Sequence, residues 1–147
     1  MSIVSDIEKL KKEKNAVILA HYYVDEDVQD VADYIGDSFY LSKVATKVSQ
    51  DRIIFAGVEF MGESAKILNP KKRVFMPDMN ADCPMAHMAD KDEILALREK
   101  YDDIAVVCYI NSTAELKKYS DVCVTSSNAV KIVKNLPNKN IFFIPDR

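Results

Sequence analysis

The chain has 147 residues, of which 48% are hydrophobic and 29% charged, with a formal net charge of −3. That is one average domain or two small ones of ordinary globular balance. The charge argues against a nucleic-acid protein held by phosphate contacts, and no apolar run approaches the ~20 residues of a membrane span.

The N-terminal stretch "MSIVSDIEKLKKEKN" lacks the apolar core of a signal peptide and reads as a short amphipathic helix. "AVILA" (16–20) then reads as a buried strand, because it is continuous rather than alternating in apolar residues. Asp27 is placed to cap a helix with Val28, Val31, Ala32 and Ile35 on one face, and Gly36 to end it. Asp37 or Ser38 is placed to cap the next, over 38–49, with Leu41, Val44, Ala45 and Val48 inward. A second strand, "RIIFA" (52–56), a helix near 61–68 that stops before Asn69–Pro70, and a third strand, "RVFMP" (73–77), follow.

A helix over about 90–100, carrying Ile94, Leu95 and Leu97, opens the second half. "IAVVCYI" (104–110), "DVCVT" (121–125) and "IFFIP" (141–145) read as strands there, with short helices near 113–118 and 128–135. The halves repeat. "RVFMPD" ends at Asp78 and "IFFIPD" at Asp146, an offset of 68, and "RIIFAGVEFMGESAKILNP" runs beside "DVCVTSSNAVKIVKNLPN". The expected fold is therefore α/β: two similar small αβα modules with parallel sheets, residues 1–82 and 83–147. Each is small enough to have limited stability alone.

Ligands of open parallel sheets bind beyond the carboxyl ends of the strands. The residues there are His21, Tyr22 and Tyr23; Gly57, Glu59, Phe60 and Met61; Asp78, Asn80 and Cys83; Tyr109, Asn111 and Ser112; Thr125, Ser126, Ser127 and Asn128; and Asp146. They suit a small anionic ligand. Ser126 and Ser38 stand where a helix begins, so each is either an N-cap or, with the helix's free N–H groups, a holder of carboxylate or phosphate. His21 is either a hydrogen-bonded structural residue or a catalyst. Tyr23, two residues on, alternates to the same side as His21, and Tyr22 to the other. His87 reads as a surface residue in a helical turn.

Three cysteines, an odd and low count, argue against a disulfide scaffold and point to a reducing, cytoplasmic setting. Cys108 and Cys123 lie within strands and read as inert packing residues. Cys83, in "MNADCPMAH" (79–87), lies in a loop at the ligand end. It is either an ordinary thiol or one ligand of a site whose other ligands lie elsewhere. There is no GxGxxG, and no GxxxxGK followed by Ser or Thr, so the common nucleotide fingerprints are absent.

Six blocks in order, "ILAHYY" (18–23), "QDVADYIGDS" (29–38), "GVEFMGESAKILNP" (57–70), "MPDMNADCPMAH" (76–87), "YINSTAELK" (109–117) and "VTSSNAVKIV" (124–133), resemble the N-terminal part of the quinolinate synthase family, the A protein of NAD biosynthesis. The resemblance implies condensation of iminoaspartate with dihydroxyacetone phosphate to quinolinate, with release of phosphate and water. It implies three similar modules and a 4Fe-4S cluster held by three cysteines, one per module, whose fourth iron acts as a Lewis acid. By matching motif Cys83 is the first cluster ligand. His21, Ser38 and Ser126 would hold substrate carboxylate or phosphate groups, Tyr23 would assist proton transfer, Tyr109 and Asn111 would position the intermediate, and Phe60 and Met61 would shape the pocket wall. Tyr22 stands where Asn is common in the family, a departure expected to matter little.

Family members are roughly twice as long, about a further domain or more. The resemblance therefore implies that the third module and the other cluster cysteines lie in a missing C-terminal part. This chain alone would then hold no cluster and be inactive, since one thiolate cannot hold four irons. The alternative, from the residues alone, is a small α/β module that binds an anionic metabolite without metal chemistry.

Overall fold

A computed structural model describes residues 2–145. By its internal contacts the chain divides into two compact units, Met1–Asp82 and Cys83–Arg147. Both are α/β with every strand pairing parallel.

In the first unit, helix α1 (Ile3–Glu13) leads into strand β1 (Ala16–His21). Asn15, at φ 50°, takes the left-handed conformation that reverses the chain between them, which its short polar side chain tolerates. There follow α2 (Glu26–Asp30), β2 (Tyr34–Gly36), α3 (Ser38–Lys47), β3 (Arg52–Ala56), α4 (Glu59–Leu68) and β4 (Arg73–Phe75), and the sheet order is β2-β1-β3-β4. Leu19, Leu41, Ala45, Ile53 and Ala65 are fully buried, so α3 and α4 bury their apolar stripes with the middle strands. Each large side chain so buried contributes about 1.5–3 kcal/mol. Lys72 closes the carboxyl end of α3, donating from Nζ to the Ala45 and Val48 carbonyls at 3.0 and 2.5 Å.

The second unit begins with a 3-10 turn over Pro84–His87 and continues with α5 (Lys91–Lys100), β5 (Ile104–Tyr109), α6 (Ala114–Lys118), β6 (Val122–Val124), α7 (Ala129–Asn135) and β7 (Asn140–Ile144). Its sheet order is β6-β5-β7, and Ile94, Val106, Cys108, Leu116 and Ile144 form its core. Asp146 lies outside the described residues.

The expected helix running through Ile35 to Gly36 is not there. It stops at Asp30, and residues 34–36 are edge strand β2 instead. Tertiary pairing overrides the helical spacing: Leu19, Ala20 and His21 register with Tyr34, Ile35 and Gly36. The strand is admitted by one carboxylate. Asp33 accepts the Ile18 N–H at 2.8 Å and returns its own N–H to the Ile18 carbonyl at 2.9 Å. Lys11, nearly buried, pairs with Asp33 at 2.8 Å and donates to the Val31 carbonyl.

The same device recurs in the second unit. Asp121 accepts the Val106 N–H at 2.7 Å and donates to its carbonyl, while Arg98 pairs with Asp121 and donates to the Tyr119 carbonyl. Every backbone equivalence is displaced by 88 residues: 18 to 106, 31 to 119, 33 to 121. The bonds Tyr22 N–H to Gly36 and Arg52 N–H to Asn15 reappear as Ile110 N–H to Val124 and Asn140 N–H to Asp103. The internal repeat is thus real at the level of hydrogen bonds, but its phase is 88 and not 68. β1, β2 and β3 correspond to β5, β6 and β7, so "RIIFA" matches "NIFFI" and not "DVCVT".

Asp33→Ala leaves the Ile18 N–H without its acceptor and Lys11 with Glu8 as its remaining carboxylate. An orphaned part-buried donor costs about 1–3 kcal/mol, and urea unfolding of the variant is expected to show a loss of about 2 kcal/mol in the first unit's transition. An unchanged midpoint would show that the pin is dispensable.

Candidate active-site residues at the strand ends

In each sheet the chain first adds a strand on one side of the opening strand and then crosses to the other. The reversal lies between β1 and β3 in one unit and between β5 and β7 in the other. Crevices at the carboxyl ends of such strands are where ligands bind.

His21 ends β1 and is buried at 6% exposure. Its Nδ1 accepts the Tyr23 N–H at 3.3 Å, which leaves Nε2 to carry the proton of the neutral ring. Tyr22 stacks on it at 4.4 Å and 26°, and Tyr23 lies against it at 4.6 Å. Tyr22 was expected to alternate away. It does not, because the strand stops at His21 and the Val24 N–H closes a turn onto the His21 carbonyl. The three rings therefore form one cluster, with the Tyr22 and Tyr23 hydroxyls 3.4 Å apart and the Tyr23 side chain in solvent.

Burial pushes the His21 pKa below its ordinary 6.5, and the nearby Asp37 carboxylate opposes the shift only in part. The folded state thus binds this proton less readily than the unfolded chain. Stability attached to His21 is full above pH 6.5 and declines as pH falls from there through the folded-state pKa. In a His87→Gln background, where His21 is the remaining imidazole, NMR titration is expected to give a midpoint below 6.5. Adding Tyr22→Ala uncovers one ring face and is expected to raise that midpoint. A midpoint at 6.5 that ignores Tyr22 would contradict the packing.

Ser38 begins α3, but Asp37 is its N-cap, accepting the Tyr40 N–H at 2.7 Å. The Ser38 hydroxyl is therefore not used as the cap, and it has no partner among the described residues. Glycine precedes this corner for a reason: a Cβ on Gly36 would press into the Tyr40 ring. After β3, Phe60 and Met61 occupy the first turn of α4 and are 2% and 7% exposed. Within this chain they are core residues at the strand end. The loop that leads to Cys83 is tied to the same turn, since Ala81 accepts the Glu59 N–H at 2.8 Å and Asp78 accepts the Asn80 N–H at 2.8 Å. Cys83 follows two residues later, half-buried and not disulfide-bonded, with its carbonyl accepting the Ala86 N–H.

In the second unit Tyr109 ends β5, Asn111 follows, and Ser126 lies beyond β6. Ser126 was also open to the N-cap reading, but the cap position of α7 falls on Asn128, whose Oδ1 accepts the Thr125 N–H. The Ser126 hydroxyl is exposed and lies 3.4 Å from the Tyr109 hydroxyl, which donates to it. The 88-residue phase pairs His21 with Tyr109, Tyr23 with Asn111 and Ser38 with Ser126. Each unit thus offers the same corner, with an aromatic or imidazole ring at the end of its middle strand and a serine after its edge strand. Reading "ILAHYY" against "VVCYIN" and "GDS" against "VTS" finds this pairing in the sequence.

A family profile described as quinolinate synthetase A protein matches residues 5–147. This chain belongs to that family. It is 68% identical over 140 residues to a quinolinate synthase of Fusobacterium nucleatum, covering 95% of the chain and 47% of that protein. It is similar to quinolinate synthases of Caldicellulosiruptor saccharolyticus (54% identity over 145 residues, 99% of the chain and 48% of the relative) and Clostridium perfringens (55% over 147 residues, 100% and 49%). The chain spans about half the length of the curated relatives it matches. No helix among the described residues is long and apolar enough to cross a membrane.

The donors present can be set against the 4Fe-4S cluster that the resemblance implies. Among the described residues no three or more His, Cys, Asp or Glu side chains are grouped to hold a metal. Cys108 is buried in the second core and Cys123 sits across from it on β6, so neither joins Cys83 in a loop. Among the described residues Cys83 is thus the one loop thiol that could serve such a group, and the rest of a ligand set is not there.

Proposed function

We propose that these 147 residues supply the first part of a quinolinate synthase, which condenses iminoaspartate with dihydroxyacetone phosphate to quinolinate for NAD biosynthesis. The observation that carries the reading is the family match over 5–147, together with the paired corners that hold the motif residues. Cys83 supplies one thiolate to a 4Fe-4S cluster, and the remaining cysteines come from outside this chain. When bound, the cluster supplies a Lewis acid.

The chain's own residues bind and orient. Ser38, at the open start of α3, offers a hydroxyl and first-turn N–H groups to a substrate carboxylate or phosphate. Ser126 does the same from the second unit through its hydroxyl. Buried neutral His21 donates from Nε2 to an anionic oxygen. Tyr23 holds or moves a proton at its hydroxyl. Tyr109 and Asn111 fix the intermediate, with Phe60 and Met61 excluding water at the pocket wall. On this reading the 147 residues alone form no quinolinate.

The test is genetic. Residues 1–147 are joined to the remaining half of the Fusobacterium nucleatum relative and expressed in a bacterium that lacks its own synthase. Growth without added quinolinate is expected from this chimaera. A soluble, folded chimaera that does not support growth would overturn the assignment.

A further inference from the structure

Cys108 and Cys123 are direct register partners on the parallel strands β5 and β6. Register partners project from the same face of a sheet, and neighbouring strands run about 4.7–4.9 Å apart. That spacing falls within the roughly 4.4–6.8 Å that separates the Cα atoms of disulfides. The two thiols lie close enough to be each other's largest influence on proton binding, while the Cys108 S–H is directed at the Tyr109 carbonyl, 3.4 Å away. Their exposures differ. Cys108 is 0% exposed in the second core, whereas Cys123 is exposed on edge strand β6. Cys108 is therefore packed in the core as expected, whereas Cys123 is not.

The surroundings favour a thiolate. Ser112 is 0% exposed, and its hydroxyl makes no well-formed hydrogen bond among the described residues. The Ser112 and Ser120 hydroxyls and the Lys117 charge each lower the Cys108 pKa, with the Ser120 hydroxyl itself donating to the Leu116 carbonyl at 2.9 Å. The Cys123 S–H is the largest influence that lowers the Cys108 pKa, and burial works against it. The neighbouring Cys108 thiol, and then burial, hold the proton on Cys123 more tightly than usual. The pair thus gives up its first proton early and its second late, as two sulfurs sharing one proton do.

We propose that Cys108 and Cys123 form a reversible dithiol–disulfide couple that reacts with small-molecule disulfides. The exposed Cys123 sulfur passes its proton to the Cys108 sulfur and attacks one sulfur of the small disulfide, forming a mixed disulfide and a thiolate that takes up a proton from Cys108 to leave as one thiol. The Cys108 thiolate then attacks the Cys123 sulfur and releases the second thiol. Two protein S–H groups and one external S–S bond become one protein S–S bond and two external S–H groups. The protein loses the two electrons that the small disulfide gains. The new bond would tie β5 to β6 next to Tyr109 and three residues before Ser126.

The test uses the 147-residue chain, folded by circular dichroism, with oxidised glutathione as the probe. After alkylation of remaining thiols, tryptic mapping is expected to find YDDIAVVCYINSTAELK linked to YSDVCVTSSNAVK, reversibly by dithiothreitol. Cys108→Ser is expected to trap a stable glutathione adduct on Cys123, and Cys123→Ser to leave Cys108 unreacted until the chain is unfolded. The proposal is overturned by a lasting adduct on wild-type Cys123, by a link from either residue to Cys83, or by no reaction at either cysteine.

Discussion

Cys83→Ser in the chimaera is expected to lower the rate of quinolinate formation by more than about 100-fold after anaerobic reconstitution. Changes behind a metal's ligands already cost roughly 10–100-fold, and this change removes a ligand. The loss should be specific. Cys83 is half-buried on a loop, outside both the sheet and the second core, so both units' circular dichroism and unfolding midpoints should stay as they were. Iron bound per chain should fall with the rate. A Cys83→Ser protein that keeps its iron and its rate would return the chain to the metal-free reading, a small module holding an anionic metabolite.

Tyr23→Phe is the second large expected loss. Positioned acid–base groups contribute about 10²–10⁴-fold, so kcat should fall by roughly 100-fold or more, with KM little changed. The ring stays against His21 and only the hydroxyl is lost. Tyr23 is 81% exposed and, among the described residues, its hydroxyl meets only that of Tyr22, so little stability is at stake. Tyr22→Phe removes the other hydroxyl of the pair and is the control. Equal losses from both would assign the effect to the pair's hydrogen bond, and not to proton transfer at Tyr23.

Much of this was legible in the sequence, and the misses share a cause. β1, β3, β5 and β7 are apolar runs that need no partner to be noticed. β2 has three residues, two of them exposed apolar side chains. Val28, Val31 and Ile35 fit a helix equally well, and only the distant Ile18 backbone and Asp33 decide the matter. Alternation puts Tyr22 opposite His21, but a turn begins at His21 and the alternation ends there. Ser38 and Ser126 were ambiguous as caps until neighbours, Asp37 and Asn128, took the cap positions. Cys123 resembled Cys108 letter by letter, yet one lies on the edge strand and the other on the middle one. The 68-residue offset comes from the matching proline-ended runs at β4 and β7. Its true phase is carried by Asp33 and Asp121, whose carboxylates do the same work 88 residues apart, and that equivalence is also what aligns Ser38 with Ser126.

The most direct measurement is quinolinate itself. The purified chimaera, reconstituted with iron and sulfide under anaerobic conditions, is supplied with iminoaspartate and dihydroxyacetone phosphate. Quinolinate is expected to accumulate with release of phosphate, and the 147-residue chain treated identically is expected to make none. A folded, iron-loaded chimaera that consumes neither substrate and yields no quinolinate would contradict the assignment.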